Sequence, residues 1–132
     1  MSRILFPELS YEITGLCFKI QNNMGRFCGE RQYADALEFT LKQKQIPYKR
    51  EFELSGLDAI DIKGNRVDFL INGQVVVDLK AKKFITKEDY DQMQRYLQCG
   101  KFELGLIINF RSTYLKPKRI LNTKIYSDHS DA

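Results

Sequence analysis

Three residues near the middle of the chain have the types and spacing for hydrolytic chemistry: Asp68, Asp78 and Lys80. Asp68 sits in Arg66-Val67-Asp68-Phe69-Leu70-Ile71, and the other two in Val75-Val76-Val77-Asp78-Leu79-Lys80-Ala81. Both stretches read as strands, over 66–71 and 74–81, and Asn72-Gly73 between them is a strong hairpin signal. Side chains alternate along a strand, so Asp78 and Lys80 share one face while Val75, Val77 and Leu79 take the other. A two-residue loop sets Asp68 opposite Val77 and off that face. A loop with an odd count gathers all three, and a type I turn with a bulge at Gly73 is the expected turn. Two carboxylates and an ammonium on one face are costly unless a cation or an ion pair compensates them. Their hard oxygens suit Mg²⁺, which takes one or two carboxylates and completes its shell with water and substrate phosphate. A lysine beside it can orient the water that attacks a phosphodiester. The plain alternative is a solvated hairpin with a Lys–Asp pair.

The elements that must position these residues are also legible. Ile13, Leu16, Cys17, Ile20 and Met24 repeat at helical spacing over 10–24, with Ser10 as a candidate N-cap and Gly25 as the residue that stops the helix. A second helix is expected from about Glu30 to Gln45, with Tyr33, Leu37 and Leu41 on one stripe, closed by Ile46-Pro47. Tyr48, Phe52 and Leu54 then alternate with charges as in a half-exposed strand. Lys42, Lys44, Lys49 and Arg50 read as ordinary surface. Thr86 with Asp89 three residues on resembles a capping box and opens a helix through Tyr90, Met93, Tyr96 and Leu97, ended by Gly100. Leu104–Phe110 is a nearly continuous apolar run, as in a strand covered on both faces, and a short basic strand follows from Lys118 to Asn122. The fold class is therefore α/β: a mixed α+β sheet with helices packed on it.

Length and composition narrow the chemistry further. The 132 residues suit one domain, taken as 1–126 with a flexible tail over 127–132. Lys plus Arg is 21 and Asp plus Glu is 17, a net charge of +4, and two of those acids lie in the tail. Hydrophobic and charged fractions of 43% and 29% are those of a globular chain and exclude wholesale disorder. Every apolar run is broken before membrane-span length, and the first residues show no signal-peptide pattern, so a cytoplasmic protein is the default. Cys17, Cys28 and Cys99 form no CxxC pair, and His129 in the tail is the one histidine. A disulfide framework, a structural zinc and histidine-based catalysis are thereby excluded. Carboxylates, lysine and a metal remain.

Four ordered segments carry a family resemblance. Asp68 with Asp78-Leu79-Lys80 resembles the signature of the PD-(D/E)XK nuclease superfamily. Gly25-Arg26-Phe27-Cys28-Gly29-Glu30-Arg31-Gln32-Tyr33 is similar to the GxxExxY segment that names a group of small prokaryotic proteins in it. Gln92-Met93-Gln94-Arg95-Tyr96 looks like its later QxxxY helix, and Gly105–Phe110 like its closing strand. The resemblance spans about 8–122 and implies a restriction-endonuclease-like core and an Mg²⁺-dependent deoxyribonuclease, with Mn²⁺ suiting the same ligands. It implies that Glu30, Asp68 and Asp78 hold the metal together with the carbonyl of Leu79, and that Lys80 positions the attacking water. Gln92 and Tyr96 would face the site, with helix packing as the competing role of Tyr96. Phe27 stands where the group has glycine, Val67 where the superfamily has proline, and Asp78 where the group has glutamate.

Basic residues fit a nucleic-acid partner. Lys82, Lys83 and Lys87 follow the hairpin, and Arg111, Lys116, Lys118 and Arg119 follow the apolar strand. Phosphate backbones favour such clustering; a solvated, lysine-guarded strand edge is the other reading. The functional expectation is thus a metal-dependent nuclease acting on DNA. A catalytically inactive nucleic-acid-binding or complex-forming module that keeps the fold is the alternative. With so few residues beyond the core, a homodimer or partner protein would supply further recognition surface.

Overall fold

A computed structural model describes residues 6–54 and 66–126. In chain order it contains α1 (Pro7–Met24), α2 (Glu30–Gln43), β1 (Tyr48–Glu53), β2 (Arg66–Ile71), β3 (Val75–Lys80), α3 (Lys87–Gly100), β4 (Leu104–Asn109), β5 (Lys118–Leu121) and the short α4 (Thr123–Tyr126). The five strands form one sheet in the order β1-β2-β3-β4-β5. Only β3 and β4 run parallel, joined through α3; the other neighbours are antiparallel. This is the mixed sheet with packed helices expected for a restriction-endonuclease-like core. The expected tail, 127–132, lies outside the described residues.

Period-two alternation in the strands and helical stripes divide the apolar residues between two cores. On one face Val75, Val77, Leu79, Leu104, Leu106 and Ile108 meet Ile13, Cys17 and Leu37 of α1 and α2. On the other, Leu70, Val76 and Ile107 meet Met93, Tyr96 and Leu97 of α3. Strand β4 is buried along its whole length, as its unbroken apolar run requires. Gly105 lets α3 lie close on β4: the Met93 thioether fills the space that any Cβ there would occupy. Among the described residues no helix is long and apolar enough to cross a membrane.

The hairpin has the parity that gathers its charges. Phe69 pairs with Val77 and Ile71 with Val75, leaving a three-residue loop, Asn72–Gln74. Its geometry differs in detail from the expected type I turn. Asn72 and Gly73 both take left-handed backbone (φ 55° and 65°), and the Gln74 N–H donates to the Ile71 carbonyl at 3.0 Å. Asn and Gly are the residues that tolerate this conformation, and Gln74 supplies the odd residue.

Three helix boundaries also move. The first helix begins at Pro7 rather than after Ser10, because proline is pre-shaped for the first helical position; Ser10 instead lies buried inside the helix and accepts a hydrogen bond from Arg119 at 2.8 Å. The second ends at Gln43, before Pro47 can act. Gln45 turns left-handed (φ 58°), and the N–H groups of Gln45 and Ile46 return to the carbonyls of Lys42 and Leu41. At the end of α3, Gly100 stays helical and Lys101 takes the left-handed position (φ 58°). The Thr86–Asp89 capping box forms as expected, with the Asp89 N–H and the Thr86 N–H bonded to each other's side chains.

Candidate active site

The β2–β3 ladder stops at Phe69 and Val77, and beyond that point the strands are linked by a side chain. The Leu79 N–H donates to Asp68 Oδ2 at 2.6 Å, so backbone that the ladder leaves unpaired is satisfied by the carboxylate. Continuing the register sets Asp68 beside Asp78. Asp78 is 6% exposed, flanked by the buried Val77 and Leu79. Its Oδ2 forms an ion pair with Lys80 Nζ at 2.9 Å, without the alignment of a hydrogen bond, and among the described residues that oxygen has no hydrogen-bond partner. Lys80 also lies 3.8 Å from Asp89 Oδ1, and Asp89 Oδ2 holds Lys82 Nζ at 2.6 Å.

Electrostatics follow from this crowding. Burial pushes the Asp68 carboxyl up to about 7, and the hydrogen bond and charge of Asp78 add to the push; the Leu79 N–H works against it. Burial alone would lower Lys80, but the charges of Asp78, Asp89 and Glu30 hold it above the usual ammonium range. Burial would raise Asp89, yet Lys82, Thr86 and Lys80 together hold it below the ordinary carboxylate value. The cluster is thus short of positive charge at the Asp68–Asp78 pair.

A cavity of about 590 Å³ opens at Asp68, lined by Glu30, Arg31, Ala34, Asp35, Glu38, Arg50, Glu51, Asp68 and Leu79. Glu30 reaches it from the first turn of α2, and its charge is felt by both Asp68 and Lys80. Among the described residues no three His, Cys, Asp or Glu side chains converge closely enough to form a metal site by themselves. The donors nonetheless fit a hard, octahedral cation, which needs only one or two protein carboxylates. Asp78 carries a buried oxygen without a hydrogen bond, and burial, with Asp78 beside it, pushes the Asp68 carboxyl up to about 7.

The remaining candidates are spread more widely. Gln92 and Tyr96 share a stripe of α3, but Tyr96 is 4% exposed and packed in the second core, its hydroxyl pushed up by burial and by Asp78. It is a wall beneath the carboxylates, not a surface for nucleic acid, because Leu97, Met93 and Val76 bury it. Lys82 is engaged with Asp89, and Lys87 pairs with Asp91 at 3.1 Å on the exposed face of α3. Lys83, Lys116 and Lys118 are exposed. Arg111 is half-buried, its Nε donating to the Arg26 carbonyl at 3.0 Å, and Arg119 crosses from β5 to Ser10 of α1. The basic residues therefore do not form one patch around the carboxylates.

Four residues with a place in the site were not among the sequence candidates. Arg50, read as plain surface, lines the cavity instead: its guanidinium meets Asp35 at 2.7 Å and Glu38 at 3.1 Å. Strand periodicity held the signal, because Arg50 falls on the inward stripe with Tyr48 and Phe52. Asp89 was visible only as a cap, though a capping carboxylate has a second oxygen to offer. Asn109 brackets Lys82 with two bonds, 3.1 Å to its N–H and 2.7 Å to its carbonyl, and so fixes the segment that leaves Lys80. Glu51 stands opposite Asp68 in the β1–β2 register with a left-handed backbone (φ 49°), a conformation strained for glutamate, and no sequence signal marks it.

Comparison with known proteins places the chain in a family. The family model described as the PD-(D/E)XK nuclease superfamily aligns with residues 7–120, which takes in β1 to β4, all but the last residue of β5, and all of the carboxylates above. No curated protein and no solved structure matches the chain.

Proposed function

From the premise that the chain belongs to the PD-(D/E)XK nuclease superfamily, we propose that it is a metal-dependent nuclease hydrolysing phosphodiester bonds, with DNA as substrate. The observation that carries this reading is the pairing of Asp68 with Asp78 at buried strand ends, where Lys80 is the cation paired with Asp78 and the Leu79 N–H donates to Asp68. Asp68 and Asp78 are the primary ligands for Mg²⁺ or Mn²⁺, with the Leu79 carbonyl beside them and Glu30 approaching from α2. When bound, such an ion lowers the pKa of water and offsets charge on the scissile phosphate. Lys80, held by Asp78 and Asp89, donates a hydrogen bond that aims the attacking water, and Gln92, one turn before Tyr96 on α3, assists it in this reading. Lys83 and the exposed lysines on and before β5 attract the phosphate backbone. Residues 1–126 act as a single domain in this proposal, and a second copy would suit cutting of both strands.

Cleavage of supercoiled plasmid and of single-stranded DNA with Mg²⁺, Mn²⁺ or EDTA tests the proposal, alongside calorimetric titration of each metal. Metal-dependent cleavage that vanishes in Asp68→Asn is the expected result. A wild type that binds no metal, even with DNA present, and cleaves neither substrate would overturn it in favour of a non-catalytic module.

A further inference from the structure

Phe27 is 75% exposed, an unfavourable place for a phenyl ring, yet its surroundings are firmly built. The guanidinium carbons of Arg26 and Arg111 lie 5.2 Å and 5.1 Å from its centroid, within cation–π range. The two arginines lock the segments that carry them: Arg26 Nε donates to the Arg111 carbonyl at 2.9 Å, and Arg111 Nε returns the bond to Arg26 at 3.0 Å. Gln21 adds two more clamps, its Nε2 donating to the carbonyls of Phe110 at 2.9 Å and Ser112 at 2.8 Å. The ring is thus presented by hydrogen-bonded backbone from two parts of the chain.

Those two parts are both connected to residues of the cluster. Phe27 lies three residues before Glu30, and Arg111 lies two residues after Asn109, the partner of Lys80 in the β3–β4 register. Asn109 Oδ1 accepts from the N–H groups of both Lys82 and Arg111, joining this segment to the one that leaves Lys80. An exposed aromatic ring flanked by arginines is the arrangement that takes an unpaired base on its π-face and the neighbouring phosphates on the cations. A base inside a duplex is already stacked on both faces and cannot use it. At 75% exposure the ring is not sandwiched, so a face remains open to a base.

We propose that Phe27, with Arg26 and Arg111, is a stacking platform for an unpaired nucleotide, and that the enzyme acts on nucleic acid with a single-stranded segment next to the scissile bond. The proposal rests on the nuclease reading above and narrows its substrate class.

The test separates the two. In the full-length Asp68→Asn protein, which holds substrate without cutting it, fluorescence anisotropy with a labelled single-stranded oligonucleotide and a blunt duplex of the same sequence measures binding alone. Adding Phe27→Ala should weaken single-strand binding about tenfold and duplex binding less than about twofold, while Phe27→Tyr keeps wild-type binding. A thermal melt unchanged by Phe27→Ala shows that the fold is intact, as the exposure of the ring requires. Equal loss on both oligonucleotides, no loss on either, or a dimer that dissociates on Phe27→Ala would overturn the platform, the last by making the ring a protein contact. Metal-dependent cleavage of plasmid by wild type alongside any of these leaves the nuclease standing and removes only the platform. Phe27-dependent binding with no cleavage of any substrate removes the nuclease and leaves the platform.

Discussion

Asp68 shows how a residue suited to a site works against the fold that holds it. The folded form keeps its proton up to about pH 7, whereas an unfolded aspartate releases it near pH 4. Between those values the native state binds more protons than the unfolded one, so this group's contribution to stability falls as pH rises. Asp68→Asn keeps an acceptor for the Leu79 N–H and removes the charge. It should abolish cleavage, raise the melting temperature of the metal-free protein at pH 8 and change it little at pH 4; melting curves at both values check this. A cation supplies the missing charge in the same way, so saturating Mg²⁺ should stabilise the wild type more at pH 8 than at pH 5. Lys80 has the opposite character. Lys80→Ala leaves the Asp78 carboxylate buried without its partner, and urea unfolding should register a loss of about 3 kcal/mol together with the loss of activity. Among the lysines proposed to attract phosphate, Lys83→Ala should lower the slope of log K against log salt by about one, and Lys82→Ala by less, because that ammonium already sits on Asp89.

Elements were legible where the signal is local. The parity of the Asn72–Gln74 loop, the capping box at Thr86 and the two-sided burial of β4 all depend on residues within a turn or a strand, and each is present. So was the gathering of Asp68, Asp78 and Lys80, since it needs only strand alternation and a loop count. What neighbours across the fold decide was harder to read. Ser10 has the chemistry of a cap, but Pro7 begins the helix earlier, and Arg50 becomes inward-facing because Asp35 and Glu38 of α2 lie over β1. Asp89 reaches Lys80 and Lys82 only because α3 settles closely on β4, and that seating depends on Gly105. Gly105→Ala should therefore lift α3 off the sheet at a cost of about 1–3 kcal/mol. Met93→Ala should recover part of it, and a double-mutant cycle in urea measures the coupling.

Across the whole molecule, the two cores meet the same sheet from opposite sides, and the first helix and the last strand are tied directly to each other. Arg119 of β5 donates to Ser10 of α1 across 109 residues of sequence, and Gln21 reaches Ser112 across 91. Contacts of such separation must close most of the chain before they stabilise anything, which slows folding. During synthesis, every proposed catalytic residue, from Glu30 to Gln92, is joined to the chain before β5. A chain stopped after Leu115 would carry all of them yet lack the strand that covers β4 and anchors α1. Such a chain should bind a hydrophobic dye and show no cooperative unfolding transition. The order of translation thus delays assembly of the proposed site until the strand that closes the sheet is made, and a product terminated before it holds these residues without a fold to position them.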